Sequence, residues 1–86
     1  MYIILVYDID QSRVGRANRL LKAYIMWVQN SVFEGEISDG TFERMMKKLG
    51  KLVKDRDCVI VYKFRAKSYF EKQTVGVEKG STDNVI

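Results

Sequence analysis

Hydrophobic positions fall into two periods along this chain. Tyr2 to Tyr7 is apolar throughout without alternation, which predicts a strand buried on both faces. Val14, Ala17, Leu20, Leu21, Tyr24 and Ile25 then recur at helical spacing, predicting a helix from a cap at Ser12 to about Tyr24. Phe42, Met45, Met46, Leu49, Leu52 and Val53 repeat that period and predict a second helix over about 40–54, capped by Ser38 or Asp39. Met45 and Met46 read as core filler there.

Between the helices, Trp27 to Ile37 reads as extended chain, but Val28, Val32 and Phe33 do not keep one parity. Such a slip marks a bulge or a tight reversal near Asn30-Ser31, so the segment is either one bulged strand or two short ones. Asp57 to Arg65 predicts a further buried strand, with Cys58 as a small hydrophobe inside it. Lys72 to Val77 predicts a short final strand, and the polar residues from Glu78 onward a loose tail. This order predicts an α+β sandwich with both helices on one face: a single ferredoxin-like βαββαβ domain with an extra C-terminal strand over 1–77, and a tail over 78–86. Such a sheet keeps an open edge and an uncovered face, and in a chain of 86 residues a homodimer is the expected cover.

Composition narrows the chemistry. The formal charge of +4 and pI near 9.3 lean towards a polyanionic partner, although a small basic protein that merely needs solubility shows the same balance. With no His and one Cys, the chain has no Ser-His-Asp or Cys-His apparatus, no His-containing zinc site, no thiolate zinc cluster within a protomer and no internal disulfide. Neither G-x-x-x-x-G-K nor G-x-G-x-x-G occurs. Carboxylates, Lys, Arg, hydroxyls and a hard metal remain. The N-terminal apolar run lacks the basic flank and the length of a signal peptide, and no run is long enough to span a membrane, so a cytoplasmic location without a membrane partner is expected.

The first strand ends abruptly in Asp8-Ile9-Asp10. Carboxylates at the mouth of an apolar strand lose hydration, so this is a place to look for a divalent cation. Asp8 is the leading candidate; its plain alternative is a turn or cap acceptor, a task that Ser12 can perform. Asp10 is either an outer support or a turn residue. Arg13, Arg16 and Arg19 can clamp phosphates bidentately or simply form a solvated helix face. The row Lys47, Lys48, Lys51 and Lys54 is likewise a solubilising face or one rail of a phosphate track. In a rival reading, Tyr62 and Phe64, two apart on one strand, are stacking platforms of a single-strand RNA-binding module without catalysis.

Taken together, Tyr7-Asp8-Ile9 closing a strand, the basic first helix, Gln29-Asn30-Ser31-Val32-Phe33-Glu34-Gly35-Glu36 and the terminal Gln73-Thr74-Val75-Gly76 resemble the CRISPR-associated protein 2 family, in order and spacing from Met1 to about Gly76. The resemblance implies a ferredoxin-like homodimer whose C-terminal strand adds to the other protomer's sheet. It implies a role in CRISPR adaptation, in which the dimer bridges the integrase, CRISPR-associated protein 1, and helps hold the DNA inserted as a new spacer. It further implies a Mg²⁺-dependent endonuclease acting on RNA or double-stranded DNA, with Asp8 as the catalytic metal ligand shared with its copy. Arg16 corresponds to a basic residue of the family's first helix. Ser31 is then a hydrogen-bonding group near the metal or a phosphate. Phe33 either packs over the opening or, on the plain reading, sits in the core, and Tyr7 faces core or dimer partner with a hydroxyl that needs an acceptor. Where some members carry an arginine shortly before the glutamine, this chain has Trp27.

Overall fold

The computed structural model of the chain describes residues 1–80. Its elements are β1 (Tyr2–Asp8), α1 (Gln11–Lys22), β2 (Met26–Gln29), β3 (Val32–Glu36), α2 (Asp39–Leu52) and β4 (Cys58–Phe64), followed by a 3-10 turn over Lys67–Tyr69. The sheet order is β2-β3-β1-β4 and every pairing is antiparallel. Each helix therefore joins two strands that a third separates, which is the ferredoxin-like sandwich.

Alternation along the central strand β1 sorts its residues between two environments. Ile3, Leu5 and Tyr7 are buried in one core with Phe33 of β3, Ala17 and Leu21 of α1, and Phe42, Met45 and Leu49 of α2. Burying each large side chain of this set contributes roughly 1.5–3 kcal/mol. Gly35 faces Ile3 in this layer, and a Cβ there would stand 3.0 Å from Cγ2 of Ile25. The missing side chain lets the link between α1 and β2 close down on β3.

The other face of the sheet is covered only at one end, where Phe70 and Lys72 lie against Tyr2, Phe64 and Glu34, and is otherwise open. Ile4 and Val6 are half-buried, while Ile60 and Tyr62 of β4 and Met26 of β2 are 48%, 54% and 63% exposed. This corrects the expectation of a buried strand over Asp57 to Arg65: β4 is an edge strand with an open apolar face, and Cys58 at its start is exposed. An apolar run has the same composition whether a helix covers its outer face or that face stands open.

Residues 27–37 contain both features that the parity slip allowed. They form two strands reversing at Asn30-Ser31, with Asn30 in the left-handed region at φ 44°, and a register shift falls between Trp27 and Gln29. Trp27 braces this hairpin: its Nε1–H donates to the Asn30 carbonyl at 2.9 Å, and the Lys22 ammonium lies 5.3 Å from its ring centre. Ser38 caps α2, accepting the Thr41 N–H at 3.3 Å. The cap of α1 is Asp10 and not Ser12; the Asp10 carboxylate accepts the Ser12 N–H at 3.0 Å.

Lys72 to Val77, expected as a final strand, joins no ladder among the described residues. The reason is direction. Phe70 packs on Phe64 of β4 and Tyr2 of β1, with ring centres 4.4 and 5.2 Å away. Lys72 pairs with Glu34 of β3 at 2.7 Å and with Glu78 at 2.6 Å, and the Gly80 N–H donates to the Val28 carbonyl of β2 at 2.8 Å. The segment thus meets the four strands in their spatial order, crossing the sheet and running alongside no one edge. Of the expected tail, residues 81–86 lie outside the described residues.

Candidate functional site

Three carboxylates meet where β1 ends and β4 begins, and they are used differently. Asp57 receives the backbone N–H groups of Lys54 and Asp10, each at 2.9 Å, and the Nε and Nη2 donors of Arg13 at 2.9–3.0 Å. These donors occupy the lone pairs a carboxylate offers. The N–H of Lys54 first, then that of Asp10, then Arg13 hold its carboxyl below the usual carboxylate range. Asp10 is held low by the Ser12 hydroxyl and N–H that it caps. Both are structural.

Asp8 is the exception. Opposite Cys58 on β4, it shares the uncovered face with Ile4 and Val6 and is exposed. Among the described residues its side chain takes part in no hydrogen bond and no ion pair. Asp10 performs the capping that would otherwise have explained Asp8, which leaves a hard oxygen donor uncommitted at the end of a central strand.

Mg²⁺ takes oxygen ligands, using one or two carboxylates and several waters. Among the described residues there is no group of three His, Cys, Asp or Glu able to hold an ion. At this strand end a single chain offers one uncommitted carboxylate, on the face away from the helices. Cys58 nearby is a soft donor, suited to other metals.

The remaining sequence-derived candidates divide between core and surface. Tyr7 turns to the helix side, where its hydroxyl donates to Oδ1 of Asn18, and burial pushes its pKa up. Phe33 is fully buried with its ring centre 6.1 Å from that of Tyr7, so it packs in the core and not over the opening. Ser31 contributes through its backbone, its carbonyl accepting the Tyr7 N–H at 3.1 Å and fastening the hairpin turn to the end of β1. Arg13 is held by Asp57, whereas Arg16 and Arg19 are exposed on α1 without an acidic partner among the described residues. Tyr62 stands exposed, but Phe70 covers Phe64, so the pair of stacking platforms is reduced to one.

Two residues escaped sequence reasoning. Asp57 organises the junction through partners more than 40 positions away, which no local pattern announces. Glu34, buried in β3, accepts the Tyr2 hydroxyl at 2.8 Å and pairs with Lys72. Burial first, and Glu34 second, push the Tyr2 pKa up to about 12. A carboxylate between Phe33 and Gly35 in an apolar strand is the signal that would have found it.

Comparison with known proteins agrees with this geometry. Residues 1–72 match the family model described as CRISPR associated protein Cas2. Over 87 aligned positions and the whole of both chains, the protein is 44% identical to the CRISPR-associated endoribonuclease Cas2 of Thermococcus kodakarensis and 41% to that of Pyrococcus furiosus. A solved structure titled "Crystal structure of cas2" superposes with a TM-score of 0.86 at 42% identity, covering all of this chain and 98% of that one. Streptococcus pyogenes Cas2, solved at pH 6.5, shares the fold at a TM-score of 0.76 and 23% identity, over 88% of this chain and all of its own.

Proposed function

The chain belongs to the CRISPR associated protein Cas2 family, and on that premise we propose that it works as a homodimeric, Mg²⁺-dependent endonuclease on RNA or duplex DNA. In the same reading the dimer binds the DNA handled in spacer acquisition and bridges the integrase, CRISPR-associated protein 1. The observation that carries the catalytic part is the carboxylate of Asp8, without a partner among the described residues on the open apolar face, beside Asp10 and Asp57, whose carboxylates are engaged in a helix cap and an ion pair. Covering that face with a second copy buries Ile60, Tyr62 and Met26 and brings two Asp8 side chains towards one axis. The relatives named as endoribonucleases favour RNA as a substrate.

In this reading Asp8 of each protomer would hold the ion, which when bound would supply a coordinated water of lowered pKa and positive charge beside the phosphate. Asp10 and Asp57 keep the strand end in place. The Tyr7 side chain and the Ser31 carbonyl fix β1 against α1 and the hairpin, and Arg16 and Arg19 attract the polyanion. The test pairs wild type with Asp8→Ala on RNA and on duplex DNA, with Mg²⁺ and with chelator. Cutting that vanishes in the variant and in chelator, with the dimer intact, is the expected result. Cutting that persists in Asp8→Ala would remove Asp8 from the chemistry.

A further inference from the structure

The net charge of +4 conceals a division. Residues 11–22 and 39–54, the two helices with the end of the second, carry nine Lys and Arg against two acids, Asp39 and Glu43; the rest of the chain carries six against nine. The helix layer is therefore strongly basic, while the sheet, loops and C-terminal residues are net acidic. On α1 the exposed cations are Arg16, Arg19 and Lys22. On α2 they are Arg44, Lys47, Lys48 and Lys51, with no acid between Arg44 and Lys54. Lys48 reaches the link that follows α1, donating to the Tyr24 hydroxyl at 3.0 Å, so a cation of α2 lies beside the C-terminal end of α1. Among the described residues no ion pair engages any of these seven; the salt bridges fall on Met1, Arg13 and Lys72.

We propose that the outer face of α2, through Arg44, Lys47 and Lys51, is a phosphate-backbone contact surface that works with α1 to grip one nucleic-acid duplex across the helix layer. The charge complementarity is direct, and the cations sit at i, i+3 and i+7 on the outward side of α2. Lys47 and Lys51 are about 6 Å apart along the helix, close to two steps of roughly 3.4 Å along one DNA strand. Packed helices lie about 8–10 Å apart, a separation between the minor and major groove widths of about 6 and 12 Å, so each row can meet a different strand. A single strand would engage one row only. This surface lies on the opposite side of the sheet from Asp8, so nucleic acid can be held there without entering the proposed catalytic face. The inference rests on nucleic acid being the partner and is independent of Asp8 chemistry.

The test measures binding of a labelled duplex, and of a single-stranded RNA of equal length, across a salt series. The chains are wild type, K47E/K51E, the neutralising K47Q/K51Q, and K67E/K79E, which changes net charge equally away from the helices. We expect K47E/K51E to weaken duplex binding about tenfold and to make the salt dependence shallower by about two units of slope. K47Q/K51Q should fall in between, and K67E/K79E should stay within about threefold of wild type. Equal losses from both charge-reversed pairs would reduce the effect to net charge and overturn the surface. So would unchanged duplex binding in K47E/K51E, or a loss confined to the single-stranded RNA, while the reading of a nucleic-acid partner would stand. Wild type that binds neither probe would overturn that reading as well as the inference.

Discussion

The two faces of the sheet are built from alternate residues of the same strands, yet they answer to different demands. Under the helices, Ile3, Leu5, Tyr7 and Phe33 fill a closed core, the Tyr7 hydroxyl donates to Asn18, and among the described residues no buried side-chain polar atom lacks a partner. On the other side, Ile4, Val6, Ile60 and Tyr62 form an apolar surface with no cover from the helices, and Asp8 ends it with a carboxylate that has no partner among the described residues. The closed face stabilises the fold. In the proposed function the open face keeps its groups available for a partner and a ligand, and the carboxylates divide the same way between Asp57 and Asp8.

The largest effect that can test this division is on the closed side. Phe33→Ala empties a fully buried ring site and should cost about 3–5 kcal/mol in denaturant unfolding. Asp8→Ala, one layer away on the open face, should leave stability within about 0.5 kcal/mol of wild type. A large loss from Asp8→Ala would mean that its carboxylate is structural after all and would end the contrast.

Much of the closed face is legible in the sequence, because helical periodicity at Val14, Ala17, Leu21 and at Phe42, Met45, Leu49 reports burial directly. The parity slip at Val28 likewise announced the reversal at Asn30. The open face is harder to read. Ile60 and Tyr62 have the composition of a buried strand, since an apolar surface awaiting another chain and one already covered use the same residues. Cys58 was misplaced in the core for the same reason. The Asp8 candidate came from an abrupt change of polarity, a local signal. The commitments of Asp57 to Arg13 and of Glu34 to Lys72 depend on chain segments that meet only on folding. The final strand failed to form within one chain because strand propensity in Lys72 to Val77 says nothing about which edge, if any, the segment meets.

An intermediate effect is expected where the open face meets its partner. Ile60→Glu places a charge in the middle of the exposed apolar surface and removes little from the closed core. It should leave the helical circular dichroism and monomer stability nearly unchanged while shifting sedimentation from dimer to monomer. Because the proposed site needs one Asp8 from each copy, cleavage should fall with the dimer although Asp8 is intact. Wild type that sediments as a monomer and still cuts would break the link between the open face and the site.

The smallest expected effect concerns the carboxylates that hold the end of β1 in place. Asp10 and Asp57 both have carboxyls lowered by the donors around them, so each binds its proton less tightly folded than unfolded. Their stabilisation is therefore fully present above the ordinary Asp value of about 3.9, and it disappears as pH falls through the lowered native values. Asp57→Asn removes one of these titrations; its one carbonyl oxygen can accept from Lys54 or from Asp10 but not from both, because each N–H uses a different oxygen of Asp57, and Arg13 loses its charge partner. The variant should melt at lower temperature than wild type near neutral pH and lose less on acidification, so that the two curves approach each other as pH falls below the ordinary Asp range. Parallel curves would show that the Asp57 hub adds no pH-linked stability, and the contrast between an engaged carboxylate and a free one would then rest on Asp8 alone.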